Sequence, residues 1–229
     1  MGRQRWNDLL FAHWVVDCRA VQQTLPAGLF VDTFQGSAYI GIVPFFMERV
    51  RPTGFPPVPF VSWFMELNVR TYVHDASGTP GVWFYSLDCN QSLAVAVARR
   101  YFHLPYFRAA MAASRSGQSI RYRCCRRDCV STASEFVWDR ETEGREADPG
   151  TLEFFLLERY LLFASDSTGT LFTGRVHHTP YRFYRPRVGA VSPAPAAPLG
   201  FDLSTPPVSL LGALPVDVSI FRLKAKELP

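Results

Sequence analysis

Lysine is nearly absent from this chain of 229 residues. Its 24 basic residues include only Lys224 and Lys226, and the remainder are arginines. A Schiff-base mechanism needs a lysine amine that is held in a desolvated pocket. Only the C-terminal stretch can supply such an amine, so we do not expect imine chemistry in the rest of the chain.

Charged residues are also scarce, at 19% of the sequence, whereas hydrophobic residues make up 48%. This composition excludes a disordered chain and supports a full hydrophobic core, so we expect a single domain over residues 1–229. The net charge is +4, but no run of basic residues resembles a nucleic-acid footprint. The densest basic stretch, Arg121–Asp128, is expected at the tip of a hairpin, and no nucleic-acid partner is expected.

Long apolar runs are missing as well. No segment approaches the ~18 apolar residues of a transmembrane helix, and His13 interrupts the N-terminal run "LLFAHWVV". That run also lacks a small-residue cleavage site, so it does not resemble a signal peptide. We therefore expect a cytoplasmic protein without a membrane partner.

The five cysteines are an odd number, which favours free thiols in a reducing compartment. Cys124, Cys125 and Cys129 lack the C-x-x-C spacing of a zinc knuckle, and neighbours on a strand point to opposite faces. No metal site is expected. The sequence also contains no nucleophile elbow, P-loop, dinucleotide fingerprint or H-E-x-x-H motif, so no cofactor is expected.

The apolar patterning predicts many strands and few helices. "DCRAVQQTLP" predicts a short helix capped by Asp17, and "CNQSLAVAVARRYF" predicts a longer one capped by Asn90 or Ser92. The longer helix would present an apolar stripe of Leu93, Val97 and Phe102 with Ala94 and Ala98, and Pro105 would break or restart it. We predict an α+β fold whose mainly antiparallel sheet closes into a barrel-like core with a few helices.

The stretch "FMELNVRTYV" alternates strictly and predicts a strand. Glu66, Asn68 and Arg70 share one face of it with Tyr72. This face is either a solvated outer surface or the wall of an internal cavity. Glu66 and Arg70 lie roughly 13 Å apart along an ideal strand, so Asn68 or a ligand would lie between them.

Three further residues are ligand-binding candidates beside Glu66, Asn68 and Arg70. Tyr85 belongs to the strand "VWFYSLD", either face of which could lie next to the Glu66 row. His177 and His178 would face opposite ways on a strand, one inward and one outward, so they cannot chelate one metal. His177 and Tyr106 complete the candidate set.

Most of the chain resembles one bacterial family. The stretch "RWNDLLFAHWVVDCRAVQQTLPAGLFVDTFQGSAYIGIVPFFMERVRP", followed by "ELNVRTYV", "GVWFYSLDC", "LAVAVARRYFHLPY" and "HHTPY", is similar to the YqjF-like proteins of unknown function. That family resembles acetoacetate decarboxylase in fold, which implies a barrel-like α+β protein with an enclosed, mostly apolar cavity.

The same resemblance also bears on the chemistry. The decarboxylase lysine follows a Tyr-Pro pair after an Ala-rich helix, and the comparable stretch here is Leu104-Pro105-Tyr106. Tyr106 would then stand in place of the amine, and a phenol cannot form an imine. No catalytic residue is carried over from the decarboxylase.

Two functions from different classes agree with these residues. One is a protein that binds a small organic acid or hydrophobic metabolite, with Arg70 facing a carboxylate. The other is a lyase- or hydrolase-type enzyme in which Glu66 or His177 is the general acid or base and Tyr106 donates a proton. An assembly role through the Pro-rich loops is a third alternative. The expected partner is a small-molecule ligand, and a homo-oligomer agrees equally well with the sequence.

Overall fold

The computed structural model describes residues 1–127 and 133–226. Its helices are α1 (Cys18–Gln23), α2 (Ser92–Phe102) and α3 (Leu152–Leu157), with a 3-10 helix at Ala194–Leu199. Its strands are β1 (Gly2–Asn7), β2 (Leu9–Val16), β3 (Leu29–Val31), β4 (Ala38–Pro52), β5 (Phe64–Asp75), β6 (Pro80–Cys89), β7 (Tyr106–Ser116), β8 (Ser119–Arg126), β9 (Ser134–Asp139), β10 (Leu161–Ser165), β11 (Leu171–His177), β12 (Phe183–Tyr184), β13 (Val188–Ala190), β14 (Ser209–Ala213), β15 (Val216–Ile220) and β16 (Lys224–Ala225).

Seven strands of the described chain close a ring. The order around it is β4, β5, β6, β10, β11, β15 and β1, and β1 returns to β4. Every neighbouring pair is antiparallel except β6 with β10. The α+β prediction with a mainly antiparallel sheet is confirmed, and the ring fits the barrel-like description loosely.

Two further groups of strands extend from this ring. β2 pairs with β4 and continues through β14 to β12. β7 pairs in parallel with β6 and continues through β8 and β9 to β13. The second group covers one side of the sheet, so strands of the ring are buried on both faces.

The core is divided into two main clusters by β4 and β5. Val43, Phe45 and Tyr72 belong to the first cluster. Ile42 and Val69 belong to the second, together with aromatic residues of β8 and β9. Successive residues of a strand point to opposite faces, so each strand contributes to both clusters. The polar row of β5 shares the face of Tyr72 and therefore points into the first cluster.

The predicted cap of α1 is confirmed, since the Asp17 carboxylate accepts a hydrogen bond from the Ala20 amide at 2.8 Å. The cap predicted for α2 is wrong. Gln91 caps this helix by accepting from the Leu93 amide at 2.9 Å. The Asn90 side chain instead accepts a hydrogen bond from the Met65 amide, and this bond joins the end of β6 to β5.

The apolar stripe predicted for α2 is only partly right, since Ala94 and Phe102 pack against the first cluster. Leu93 and Val97 are 55% and 42% exposed, whereas Val95 is buried in the first cluster. The helix does not restart after Pro105 either. His103 ends it in the left-handed region with φ 48°, and β7 begins at Tyr106, where it pairs with Leu87 of β6.

Asp128 of the predicted hairpin tip and Cys129 of the cysteine group lie outside the described residues. The hairpin itself is confirmed, because β8 and β9 pair antiparallel, but its tip was misplaced, since 121–126 lies within β8. Within residues 1–127 and 133–226, no group of three or more His, Cys, Asp or Glu side chains could hold a metal ion. None of the helices in those ranges has the length and apolar character needed to cross a membrane.

Candidate functional site

The polar row of β5 is buried along its whole length. Glu66 is 3% exposed, Asn68 6% and Arg70 8%. β4 and β6 hydrogen-bond to β5 on its two sides, and core clusters cover both of its faces. The alternative of a solvated outer surface is therefore wrong, and the row faces the first core cluster.

Glu66 and Tyr106 form the first end of the row. The Tyr106 hydroxyl donates to Oε2 of Glu66 at 2.8 Å. The parallel pairing of Tyr106 with Leu87, which itself pairs with Asn68, brings the start of β7 to this point. The contact between the two candidates comes from sheet pairing across 40 residues of sequence.

Burial determines the protonation states of the titratable groups at this end of the row. It raises the pKa of Glu66 to about 7, although the hydrogen bond from Tyr106 opposes the shift. Burial and the nearby Glu66 charge raise the pKa of the Cys89 thiol to about 12 and the pKa of Tyr106 well above its ordinary value. Glu66 is thus the group that exchanges a proton near neutral pH, while Cys89 and Tyr106 keep theirs.

Arg70 forms the second end of the row. Its Nη2 donates to the Leu156 carbonyl at 3.0 Å and to the Tyr72 hydroxyl at 3.2 Å. Its guanidinium carbon lies 5.3 Å from the centre of the Phe11 ring. Its Nε atom is buried and has no hydrogen-bond partner in residues 1–127 and 133–226. Among the described residues no carboxylate pairs with Arg70.

His13 completes this end, although the sequence did not single it out as a site residue. It is fully buried, and its Nε2 lies 2.7 Å from the Tyr72 hydroxyl. Tyr72 donates its proton to the Leu156 carbonyl at 2.9 Å, so we assign the donating hydrogen to His13 Nε2. Burial and the charge of Arg70 lower the pKa of His13 well below its ordinary value, and the ring is neutral. The sequence signal that could have identified His13 is its position as a single polar residue in the otherwise apolar β2.

Cross-strand register explains why these residues meet. His13 of β2 pairs with Gly41 of β4, and Gly41 pairs with Arg70 of β5. A Cβ atom on Gly41 would lie 3.1 Å from the His13 ring and 3.5 Å from Cγ of Arg70. Glycine at position 41 therefore leaves the space that the imidazole and the guanidinium share.

Asn68 lies between the two ends, opposite Val43 of β4 and Leu87 of β6. Its Oδ1 atom is buried, and no described residue offers it a hydrogen bond. The row thus presents an acid, an unpaired amide oxygen and an unpaired cation in sequence. A buried polar atom without a partner lowers stability unless something else supplies the missing bond.

Tyr85 is not part of this arrangement. The register between β5 and β6 shifts where Val69 and Arg70 pair with Ser86 and Phe84, which leaves Tyr85 as the extra residue of a bulge. Its ring packs against the second cluster, and its hydroxyl lies 2.5 Å from Oγ1 of Thr24. The structure places Tyr85 on the opposite side of the sheet from Glu66.

The two adjacent histidines face opposite ways, as predicted. His178 is buried against the rings of Tyr160 and Tyr181, with Nδ1 2.7 Å from the Thr179 carbonyl. Burial lowers the pKa of His178. The candidate His177 is exposed and lines a surface cleft that contains none of the other five candidates.

The two lysines also lie apart from the row. Lys226 forms an ion pair with Asp75 at the end of β5, and Lys224 is exposed in β16. No described contact joins either amine to Glu66, Asn68 or Arg70. The sequence argument against an imine intermediate stays a prediction.

Comparison with known proteins gives the family and the fold. The model of DUF2071, described as an uncharacterized conserved protein, matches residues 3–214. The uncharacterized protein YqjF of Bacillus subtilis (strain 168) is 38% identical over 179 residues, which cover 78% of this chain and 73% of that protein. The predicted resemblance to the YqjF-like proteins is confirmed.

Two solved structures are similar in fold over nearly the whole chain. Acetoacetate decarboxylase from Legionella pneumophila subsp. pneumophila str. Philadelphia 1 has a TM-score of 0.66 at 13% identity, and 98% of this chain and 87% of that chain are covered. The enduracididine biosynthesis enzyme MppR complexed with pyruvate has a TM-score of 0.63 at 11% identity, with 98% and 90% covered. The predicted fold is confirmed, and this chain, which has the acetoacetate decarboxylase-like fold, belongs to the DUF2071 family.

Proposed function

We propose that this protein binds a small organic acid inside the ring of strands, with Arg70 holding the ligand's carboxylate. The observation that carries the proposal is the buried guanidinium of Arg70, which bonds to neutral oxygens and pairs with no described carboxylate. An arginine stays charged at any physiological pH. Its burial therefore favours an anion from outside the chain.

Energetics support an anion at this position. An unpaired ion in a protein interior lowers stability by several kcal/mol, on the order of the 3–5 kcal/mol lost when a buried pair is broken. Arg70 recovers part of this energy from the Leu156 carbonyl and from the faces of Phe11 and Tyr72. A carboxylate would supply the charge-assisted, bidentate contact that these groups do not.

The surroundings favour a small acid with a short carbon skeleton. Phe11, Tyr72 and Tyr181 pack in the first cluster around Arg70, so the surroundings of the guanidinium are apolar and aromatic. MppR, which shares the fold, has been captured with pyruvate, a small keto acid. This precedent supports the ligand class, while the residues named here are those of the present chain.

Ligand-dependent thermal unfolding tests the proposal. We would screen small carboxylates, among them pyruvate and acetoacetate, against uncharged partners such as pyruvamide and acetone. A ligand present at 100 times its dissociation constant adds about 2.7 kcal/mol to the free energy of unfolding. We expect at least one acid to raise the Tm of the parent, with no response to its uncharged partner.

Variants of Arg70 make that experiment specific. Arg70→Gln should abolish the response and Arg70→Lys should weaken it, while the exposed Arg19→Gln serves as the matched control. The Leu156 carbonyl keeps its bond from Tyr72 at 2.9 Å, so Arg70→Gln is expected to fold. An Arg70→Gln protein that responds like the parent, or a parent that no acid stabilises, would overturn the proposal.

A lyase- or hydrolase-type activity is the second candidate, favoured by the Glu66–Tyr106 contact. A carboxyl with a pKa of about 7 can take and return a proton at neutral pH, which is the requirement for a general acid or base. Incubating each bound acid with the protein and following it by NMR tests this activity. Turnover that is lost in Glu66→Gln while binding persists supports an enzyme. No conversion of any bound acid, or conversion that Glu66→Gln retains, overturns it.

A further inference from the structure

A second site lies on the outside of the ring, where β1, β4 and β15 meet the end of β11. A cleft of about 320 Å³ opens there. Its lining is mostly polar and contains three arginines, two histidines and one acid, namely Arg3, Arg49, Arg51, His177, His178 and Asp217. Its volume is typical of a small-molecule site.

The arginines of this cleft have little to neutralise them. Arg3, Arg49 and Arg51 form no ion pair with any described residue, and Nη1 of Arg51 donates to the Arg49 carbonyl at 2.8 Å. Asp217 is the single acid of the lining, and it already lies 3.4 Å from Nη1 of Arg5. Three guanidinium groups that share one cleft repel each other, and an anion between them would relieve that repulsion.

The backbone at Arg49 is strained. Arg3 pairs with Arg51 and Arg5 pairs with Glu48, so Arg49 and Val50 face the single residue Gln4 across a bulge of β4. Arg49 has φ 53°, in the left-handed region that an L-residue adopts at a cost of roughly 1–2 kcal/mol. Such strain is concentrated at functional sites. Here it accompanies a surface arginine at the rim of a cleft.

The donors of the cleft suit phosphate oxygens better than one carboxylate. Arginine forks bind phosphate in a bidentate manner, and the hydroxyls of Thr179 and Ser219 add single donors. Three arginines against one acid also require an anion with more than one negative charge. We propose that this cleft binds a small phosphorylated ligand, such as a phosphate ester or a diphosphate.

A nucleic acid is a weaker explanation for the same charges. The positive charge of the chain is dispersed, with no basic run along the sequence, and the cleft is small. The phosphorylated-ligand site does not depend on the organic-acid site, since the cleft contains neither Arg70 nor Glu66.

Calorimetric titration with pyrophosphate and inorganic phosphate, at constant ionic strength, tests this proposal. We expect saturable binding of pyrophosphate by the parent. Arg49→Gln and Arg51→Gln should each weaken it about tenfold or more, because hydrogen bonds to charged groups contribute about 1.5–3 kcal/mol. Arg19→Gln should bind like the parent.

A gain of affinity separates this effect from misfolding. Asp217→Asn removes the single acid of the cleft, so pyrophosphate should bind about two- to fivefold more tightly, as expected for a charge near the surface. The proposal is wrong if pyrophosphate does not saturate the parent, if the Arg49 and Arg51 variants bind like Arg19→Gln, or if Asp217→Asn weakens binding. Tighter binding of a random DNA oligonucleotide than of pyrophosphate would equally overturn it.

Discussion

Arg70 and Arg159 lie against the same aromatic ring but differ in the hydrogen-bond acceptors beside them. Their guanidinium carbons are 5.5 and 5.4 Å from the centre of the Tyr72 ring, and both side chains are buried. Arg159 donates to Oδ2 of Asp32 at 2.6 Å and to the Phe155 carbonyl at 2.8 Å. Arg70 donates only to neutral oxygens. Within the part of the chain that the structure describes, the fold supplies a counter-ion for Arg159 and none for Arg70.

Glu66 shows why that difference matters. It is buried on the same strand face as Arg70, but an acid can become neutral by taking a proton, and burial raises its pKa to about 7. Arginine cannot become neutral in the same way, because its guanidinium stays protonated at physiological pH. Among these three buried groups, Arg70 alone has neither a described counter-ion nor a way to become neutral, and this is the basis for our proposal that a ligand's carboxylate binds at the second end of the row.

Removing the counter-ion of Arg159 should leave this arginine in the same situation as Arg70. We expect the resulting loss of stability to be larger than that of any other variant. Asp32→Ala should lower the free energy of unfolding by about 3–5 kcal/mol, the usual result of breaking a buried pair. Urea denaturation measures it. The double variant Asp32→Ala/Arg159→Met should recover much of the loss, because neither charge remains. A single variant as stable as the parent would show that burial of a lone arginine is tolerated here, and the contrast with Arg70 would fail.

The pH dependence of stability tests the protonation of Glu66. Its folded-state pKa is raised, so the folded state holds the proton more tightly and stability falls as pH rises from about 4.5 through 7. Glu66→Gln lacks this loss. Between pH 4 and pH 8 the parent should lose on the order of 3 kcal/mol relative to Glu66→Gln, as a shift of this size implies. Parallel stability curves for the two proteins would contradict a neutralised Glu66.

A smaller effect is expected from filling the space beside His13. Gly41→Ala places a methyl group 3.1 Å from the buried imidazole, which Tyr72 holds in position. Overpacking of this kind costs about 1–3 kcal/mol, and the displaced Arg70 should also bind an acid less tightly. Thermal unfolding with and without the acid measures both effects. Gly2→Ala is the control, since its methyl would make an ordinary contact at 3.6 Å. An unchanged acid response in Gly41→Ala would separate His13 from the site.

The local parts of this fold were predictable because local patterns decide them. The strict alternation of "FMELNVRTYV" correctly grouped Glu66, Asn68 and Arg70 on one face, and of the two adjacent histidines one is exposed and one is buried, as expected. The Asp17 cap followed from the same kind of local chemistry. Each of these predictions depends on a few consecutive residues.

The sequence-based predictions were wrong where strands that are distant in sequence determine the packing. The stripe of α2 was assigned by periodicity, yet the neighbouring sheet buries Val95 and leaves Leu93 exposed. A bulge in β6 turned Tyr85 away from the row. His13 entered the site through pairing of β2 with β4, which no short pattern contains.

The sequence by itself determined the strand alternation, the lack of a usable lysine in the interior and the membership of a family. The tertiary structure decided which core cluster each face of β5 packs against, which partners each charged group receives, and that Arg70 pairs with no carboxylate among the described residues. The physical reason is that backbone periodicity acts over a few residues, whereas burial and charge pairing depend on strands brought together from across the chain.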